Sequence, residues 1–334
     1  MHPTLAAQQA AAARRLPEAV RHYYEAGAGD GISLAEAAAA WARIRLRPRV
    51  LRDVSDVTTA VELLGRRRGT PVLAGPTAAH GLACPEGEAA TARGTAAAGS
   101  LLVLSTRASL PLEQVPCGPW WCQAYVMRDR RRTLDLAQRA AAAGATAVVL
   151  TGDVPYLGAR AGSSRLDLLG HAADEESRDR GAEQDPSAGL ETIGELAAAS
   201  GLPVLVKGVL RGDDAAACLD AGAAGVVVSN HGGRQLDRSV SSAAALPEVV
   251  RAVDGRGPVL VDGGLRSGLD VLCALALGAS GVLLGRPILW ALAAGGAVGV
   301  EECVRAVTSD LAFVMGLAGA RSLAEVTPDL VRPS

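Results

Sequence analysis

From about residue 70 the chain repeats one pattern: a short apolar run rich in β-branched residues, a polar or glycine-rich end, then an alanine-rich segment. The runs are TPVLAGPT (70–77), SLLVLST (100–106), WWCQAYV (120–126), TAVVLTGD (146–153), PVLVKG (203–208), GVVVSNHGG (225–233), PVLVDGG (258–264) and SGVLLGR (280–286). Segments such as RTLDLAQRAAAAGA and GDDAAACLDAGAA lie between them and read as amphipathic helices that close at glycine. Continuous apolar runs alternating with helices predict a parallel sheet whose outer face is covered. Eight such units in roughly 250 residues predict an α/β fold, the (β/α)8 TIM barrel.

The rest of the chain is arranged around that repeat. Residues 1–69 are expected to form an N-terminal helical extension, with helices between 4 and 46 that include RLPEAVRHYYEAGAGD and its two tyrosines. The spacing of those tyrosines fits either packing or a reach to the barrel mouth. Residues 70–295 make the barrel and 296–334 a C-terminal helical segment, all within one domain (1–334). The connection after the fourth strand is disproportionately long and polar. Residues 156–189 read as a mobile loop over the active face, with a helix only from about Leu190.

Composition excludes several classes of function. At 49% hydrophobic and 20% charged residues, a 334-residue chain can bury a large core. A net charge of -2 gives no general attraction to nucleic acid or anionic membranes. The basic clusters GRRRG (65–69) and RDRRR (128–132) read as solvated faces. No run of some eighteen strongly apolar residues predicts a membrane span. The six cysteines are scattered, without metal-ligand spacing, so no metal is expected and structural thiols in a cytoplasmic protein are.

The polar residues share one address. Thr77, Ser105, Gln123, Thr151, Lys207, Ser229, His231, Asp262 and Arg286 lie at or just past the C-terminal end of a run. In this architecture that end is the catalytic face. Gly263 and Gly264 at the end of the seventh run, Arg266 just past it, and Gly285 and Arg286 at the end of the eighth precede helices. Freed backbone N–H groups, helix N-termini and two arginines together make an anion site suited to phosphate. Lys207 ends a buried strand and needs an anionic partner or a depressed pKa. His231 offers a proton acceptor near neutral pH, and Arg234 a fork for a carboxylate.

These residues resemble a known family. SNHGGRQLD, preceded by VLVKG and followed by VDGGLRSGLDVLCALALGASGVLLGRP, is similar to the signature of the FMN-dependent 2-hydroxy acid oxidases and dehydrogenases. RPRVLRDVSDV, PTAAHGLACPEGE, QAYVMRD and TGDVPYLGAR extend the resemblance over nearly the whole chain. It implies His231 as catalytic base oriented by Asp153, with Lys207 beside the flavin and Tyr125 as an active-site tyrosine. Tyr23, Arg160 and Arg234 would hold the substrate carboxylate. Pro76, Thr77, Ala78, Ser105, Gln123, Thr151, Lys207 and Ser229 would contact the flavin. Asp262, Gly263, Gly264, Arg266, Gly285 and Arg286 would hold ribityl and phosphate.

The chain also departs from that pattern. Arg107 stands where related enzymes carry an aromatic or small residue beside the substrate, and fits either a second negative group on the substrate or a turn into solvent. Gly152 replaces a bulkier residue. The implied reaction is oxidation of an (S)-2-hydroxy acid, mandelate-like rather than glycolate-sized, to the 2-keto acid, with O2 reduced to H2O2. Alternatives keep the flavin but pass electrons to another acceptor or oxidise a carrier-bound or peptide-derived intermediate; a third is a non-catalytic flavin- or phosphate-binding barrel. The family is often tetrameric, so a homo-oligomer is expected.

Overall fold

Eight strands close into a parallel barrel in the order in which they occur in the chain: β1 (Val72–Ala74), β2 (Leu102–Leu104), β3 (Trp120–Ala124), β4 (Val148–Thr151), β5 (Val204–Val209), β6 (Gly225–Val228), β7 (Val259–Asp262) and β8 (Gly281–Leu284). β8 closes the ring on β1, with Val282 opposite Val72. The computed structural model describes residues 1–115, 118–158 and 184–332. Seven of the strands fall inside one of the eight apolar runs, and β5 extends one residue past its run, to Val209. A sheet buried on both faces needs apolar residues at successive positions, since neighbours along a strand point to opposite sides.

Those two sides are filled differently. Leu73, Val103, Trp121, Val149, Leu205, Val227, Leu260 and Leu283, one from each strand, pack together inside the ring. Their neighbours Val72, Leu104, Val148, Val206, Val226, Val261 and Val282 face outward and join the cluster that includes the helices. The barrel is therefore a packed core.

The surrounding helices are α1 (Pro3–Arg15), α2 (Glu18–Glu25), α3 (Ile32–Ala42), α4 (Gly87–Ala97), α5 (Arg130–Ala142), α6 (Glu191–Ser200), α7 (Gly212–Asp220), α8 (Ser242–Val253), α9 (Gly268–Ala276) and α10 (Arg286–Ala318). α6 begins where the helix after the long connection is expected. Residues 159–183 of that connection, with Arg160, lie outside the described residues.

Two features differ from expectation. The N-terminal extension is helical only to Ala42. Beyond it Val61–Leu63 and Arg66–Arg68 form an antiparallel hairpin. Leu63, 2% exposed, joins the interior cluster beside Leu101 and Ala147, which precede β2 and β4, and so plugs the barrel's N-terminal end. The arginines of GRRRG are the partner strand of that plug, and alternation over three residues is too short to announce a hairpin. The second difference is in the C-terminal segment. α10 runs through the expected boundary at 295/296 and bends there, with Gly295 (φ -154°) and Gly296 (φ 58°) outside helical geometry. Among the described residues α10 alone is long and apolar enough to cross a bilayer, yet 56% of that stretch is buried inside the molecule. The chain then returns, and Val331–Arg332 pairs antiparallel with Arg45–Leu46.

Trp121 is the bulkiest of the interior strand residues and is 2% exposed. Trp121→Ala should cost about 3–5 kcal/mol of stability, read as a lowered midpoint in chemical denaturation.

Candidate active site

The C-terminal strand ends surround a cavity of about 440 Å³. Its wall is built by Pro76, Thr77 and Ala78 after β1, Ser105 and Arg107 after β2, and Tyr125 after β3. Lys207 of β5, His231 and Arg234 after β6, Asp262, Gly263, Gly264 and Arg266 around the end of β7, and Gly285 and Arg286 after β8 continue it. Tyr23 and Tyr24 of α2 reach in from the N-terminal extension, and Leu157 and Gly158 from the connection after β4. Packing and reach to the barrel mouth thus coexist in the tyrosine pair: Tyr24 is buried and its hydroxyl donates to the Ala79 carbonyl at 2.7 Å.

Lys207 is 3% exposed. Its Nζ donates to Ser229 Oγ at 2.9 Å and lies 3.3 Å from Asp262 Oδ2. Burial pulls its proton affinity down, but the Asp262 and Asp153 carboxylates outweigh burial and leave it above its ordinary value. The side chain is therefore a fixed positive charge.

His231 Nδ1 lies 3.2 Å from each carboxylate oxygen of Asp153. Burial and the Lys207 ammonium lower the imidazole's proton affinity below the ordinary 6.5, while Asp153 opposes them. Burial pushes the Asp153 carboxyl up, but His231 and Lys207 prevail and keep it ionised. His231 sits at φ 56°, followed by Gly232 at φ 64° and Gly233 at φ 73°. A left-handed turn of three residues swings the imidazole inward, and the backbone N–H of His231 is fixed by Ser229 Oγ at 3.0 Å.

Asp153 has room beside His231 because residue 208 is glycine. A Cβ there would collide with the Asp153 side chain, and φ is 106°. A shift of register between Lys207 and Val209 marks the same point in β5. Sequence reading passed over Gly208, since the Lys-Gly pair gives no sign of the residue it must clear.

The expected flavin ligands divide into two layers. Pro76, Thr77, Ala78 and Ser105 line the cavity. Gln123, Thr151 and Ser229 are buried behind it. Gln123 Oε1 accepts from Ser105 Oγ (3.3 Å) and the Thr106 N–H (3.1 Å), while its Nε2 donates to Thr151 Oγ1 at 2.9 Å. These three lock the lining residues to one another. Thr77 has a support of its own: His80 bridges Thr77 Oγ1 (2.6 Å) and Thr91 Oγ1 (2.8 Å), and buried Glu88 accepts from the backbone N–H of His80 and Ser109, each at 2.9 Å.

The arginines are partly committed to the scaffold. Arg234 Nη1 donates to the carbonyls of Tyr23, Tyr24 and Ala26, each at 3.0 Å, and its guanidinium lies over the Tyr23 ring at 5.3 Å. Arg286 donates to the Tyr24 and Gly232 carbonyls at 3.1 and 3.0 Å. Both guanidinium groups therefore cap the C-terminal end of α2, where carbonyls lack helical partners and the dipole favours cations. Arg266 stacks over Trp290 at 5.1 Å. Gln235, unassigned in the sequence beside Arg234, pins the connection after β4 by donating to the carbonyls of Asp153 (3.2 Å) and Tyr156 (2.9 Å). Gly152 is absent from the cavity wall, so its small size gives no argument for a bulky substrate.

The comparisons with known proteins agree with this geometry. The FMN-dependent dehydrogenase family model matches residues 12–333. The 4-hydroxymandelate oxidase of Amycolatopsis orientalis is 41% identical, over 96% of this chain and 95% of its own. The L-lactate oxidase of Nostoc sp. (strain PCC 7120 / SAG 25.82 / UTEX 2576) is also 41% identical, over 91% of each, and the glycolate oxidase of Spinacia oleracea 40% identical, over 96% and 92%. A solved mandelate oxidase with (S)-4-hydroxymandelic acid superposes with a TM-score of 0.91 at 39% identity, covering 98% of each chain. With its barrel closed, its strand-end residues gathered around one cavity and its whole length matched, the chain belongs to the FMN-dependent dehydrogenase family.

Proposed function

We propose that the protein oxidises an (S)-2-hydroxy acid to the 2-keto acid, with O2 as the final acceptor and H2O2 as the second product. The observation that carries this reading is the His231–Asp153 pair, set beside a buried ammonium on the wall of one cavity. The likeness to mandelate and 4-hydroxymandelate oxidases supports a substrate larger than glycolate.

The residues present fit FMN. Asp262 lines the cavity with its Oδ1 buried and without a hydrogen-bond partner, an acceptor suited to a ribityl hydroxyl. Gly285 is the N-cap of α10 and has no side-chain cap bond, which leaves first-turn N–H groups for a phosphate. Arg266 adds charge on the same wall. Gly264, at φ 82°, lies so close to α3 that a Cβ would collide with the Ala37 carbonyl, so the backbone itself forms this part of the cradle. Bound FMN supplies the two-electron acceptor and the route to O2.

The chain's own groups then have defined tasks. Asp153 accepts the Nδ1–H of His231, which leaves Nε2 as the lone-pair nitrogen able to take the proton of the substrate's 2-hydroxyl. The lowered proton affinity keeps that nitrogen unprotonated near neutral pH. Lys207 stabilises negative charge arriving at its wall without reorganising. Tyr125 stays a hydrogen-bond donor, because burial pushes its phenol up against the nearby Arg107 and Lys207 charges. Arg234 and Tyr23, stacked on each other, present a cation and a hydroxyl to the C1 carboxylate.

Mixed with (S)-2-hydroxy acids without oxygen, the yellow holoprotein should bleach, and readmitted air should restore the colour with release of H2O2. A protein that refuses FMN, or a flavin that no 2-hydroxy acid reduces, would overturn the reading. Fast reoxidation by a dye with slow reoxidation by O2 would replace oxidase with dehydrogenase. His231→Ala should keep FMN but slow flavin reduction by about 10²–10⁴-fold.

The pH dependence follows from the sign of the shift. The base works unprotonated and its proton affinity lies below the ordinary 6.5, so kcat/KM should fall only as pH drops through a midpoint below 6.5. Asp153→Asn removes an influence that raises this value, so the midpoint should move lower still while the rate falls. A midpoint above 6.5 in a pH–rate profile would contradict the assignment. The exposed Phe313 and Leu317, four residues apart on α10, support a homo-oligomer, which light scattering in solution would read.

A further inference from the structure

Among the described residues on the cavity wall, Arg107 is the cation to which this chemistry assigns neither an anion nor a carbonyl, since Arg286 donates to the carbonyls of Tyr24 and Gly232. Arg266 stands on the phosphate wall, Lys207 is paired with Asp262, and Arg234 faces the substrate carboxylate. Arg107 lines the same cavity from the end of β2. No carboxylate among the described residues pairs with it, and its Nε is buried without a hydrogen-bond partner. Its guanidinium lies over the Tyr125 ring at 5.6 Å.

Its placement is fixed from both sides. The backbone N–H of Arg107 donates to Ser105 Oγ at 3.1 Å, and its carbonyl accepts from the Ala79 N–H at 2.9 Å. Arg107 is half-buried on the cavity wall, and a guanidinium there with no carboxylate partner favours a ligand that brings one. β2 and β6 are four strands apart in a ring of eight, so Arg107 and Arg234 enter the mouth from opposite sides. Each lies over a tyrosine ring, Tyr125 and Tyr23 respectively.

We propose that Arg107 is a specificity-determining residue that selects 2-hydroxy acids whose C2 substituent ends in a second carboxylate. This rests on the reading of the cavity as a 2-hydroxy acid oxidase site. Arg234 would take the C1 carboxylate beside His231, and Arg107 the distal one across the mouth, so that the two charges orient the C2 hydrogen between them. A neutral substituent would leave the guanidinium unsatisfied, which gives discrimination against uncharged analogues as well as attraction for charged ones.

The test uses size-matched pairs: (S)-2-hydroxyglutarate against (S)-2-hydroxyglutaramate, and (S)-4-carboxymandelate against (S)-4-methylmandelate. Anaerobic flavin reduction by the FMN holoenzyme gives a rate and a Kd for each. The charged member of at least one pair should be preferred by about tenfold or more. Arg107→Met should reduce that preference at least about tenfold, and Arg107→Lys should retain part of it. A second readout needs no turnover. The perturbation of the flavin spectrum by 2-oxoglutarate, against its amide, should show the same preference, weaken with salt, and vanish in Arg107→Met. Equal handling of charged and neutral members by the wild type, or equal losses for both in Arg107→Met, would overturn the proposal while leaving the oxidase reading in place. If no acid bleaches the flavin the oxidase reading fails, and the spectral titration still decides whether Arg107 selects a second carboxylate.

Discussion

A buried ammonium governs the shape of the active face. An isolated charge at the position of Lys207 would carry an effective penalty of several kcal/mol, so anionic and hydrogen-bonding groups must converge on it. They come from the ends of three other strands: Asp262 closes β7, Ser229 follows β6 and Asp153 follows β4. Each of these also fixes something else. Ser229 holds the backbone of His231, Asp153 holds its ring, and Asp262 opens the glycine turn on the phosphate wall. The proposed cofactor wall and the proposed base are therefore both tied to the neutralisation of one charge.

A second organising element is the clasp on α2. A barrel supplies strand ends, but Tyr23 belongs to a helix outside the repeat and must be brought in. Arg234, from the loop after β6, and Arg286, the first residue of α10, fasten the helix's final carbonyls. The cation proposed to face the substrate carboxylate thus also positions the tyrosine proposed beside it, so the two halves of that grip are held together. Substitution at Arg234 would change more than a charge, because Tyr23 would lose its anchor.

The barrel was legible because it rests on local information. Eight apolar runs with polar ends specify strand, direction and rim together, and each of the eight strands begins within its own run. His231, Lys207 and Arg234 stood out because their chemistry contradicts the apolar strands they follow. What escaped the sequence depends on contacts between distant segments. Leu63 closes the far end of the barrel from a hairpin too short to show periodicity. Gly208 yields space to Asp153, which lies 55 positions earlier in the chain. His80 and Glu88 brace Thr77 from below, and their residue types alone fit many roles. Gln123 and Thr151 read correctly as strand-end polar groups, but their burial behind the cavity wall is set by a hydrogen-bond network that crosses strands.

The left-handed backbone at His231 has an evolutionary consequence. That region of conformational space readily admits glycine and, among residues with side chains, chiefly asparagine, aspartate and histidine. β-Branched residues pay a steric penalty there whatever their chemistry. The fold therefore filters what mutation can offer at this position before catalysis is tested, and histidine is the one member of the permitted set with an imidazole. Drift here is confined to a few types, whereas Arg107 lies outside the filter, so the substrate preference proposed for it is open to change while the proposed proton acceptor stays fixed.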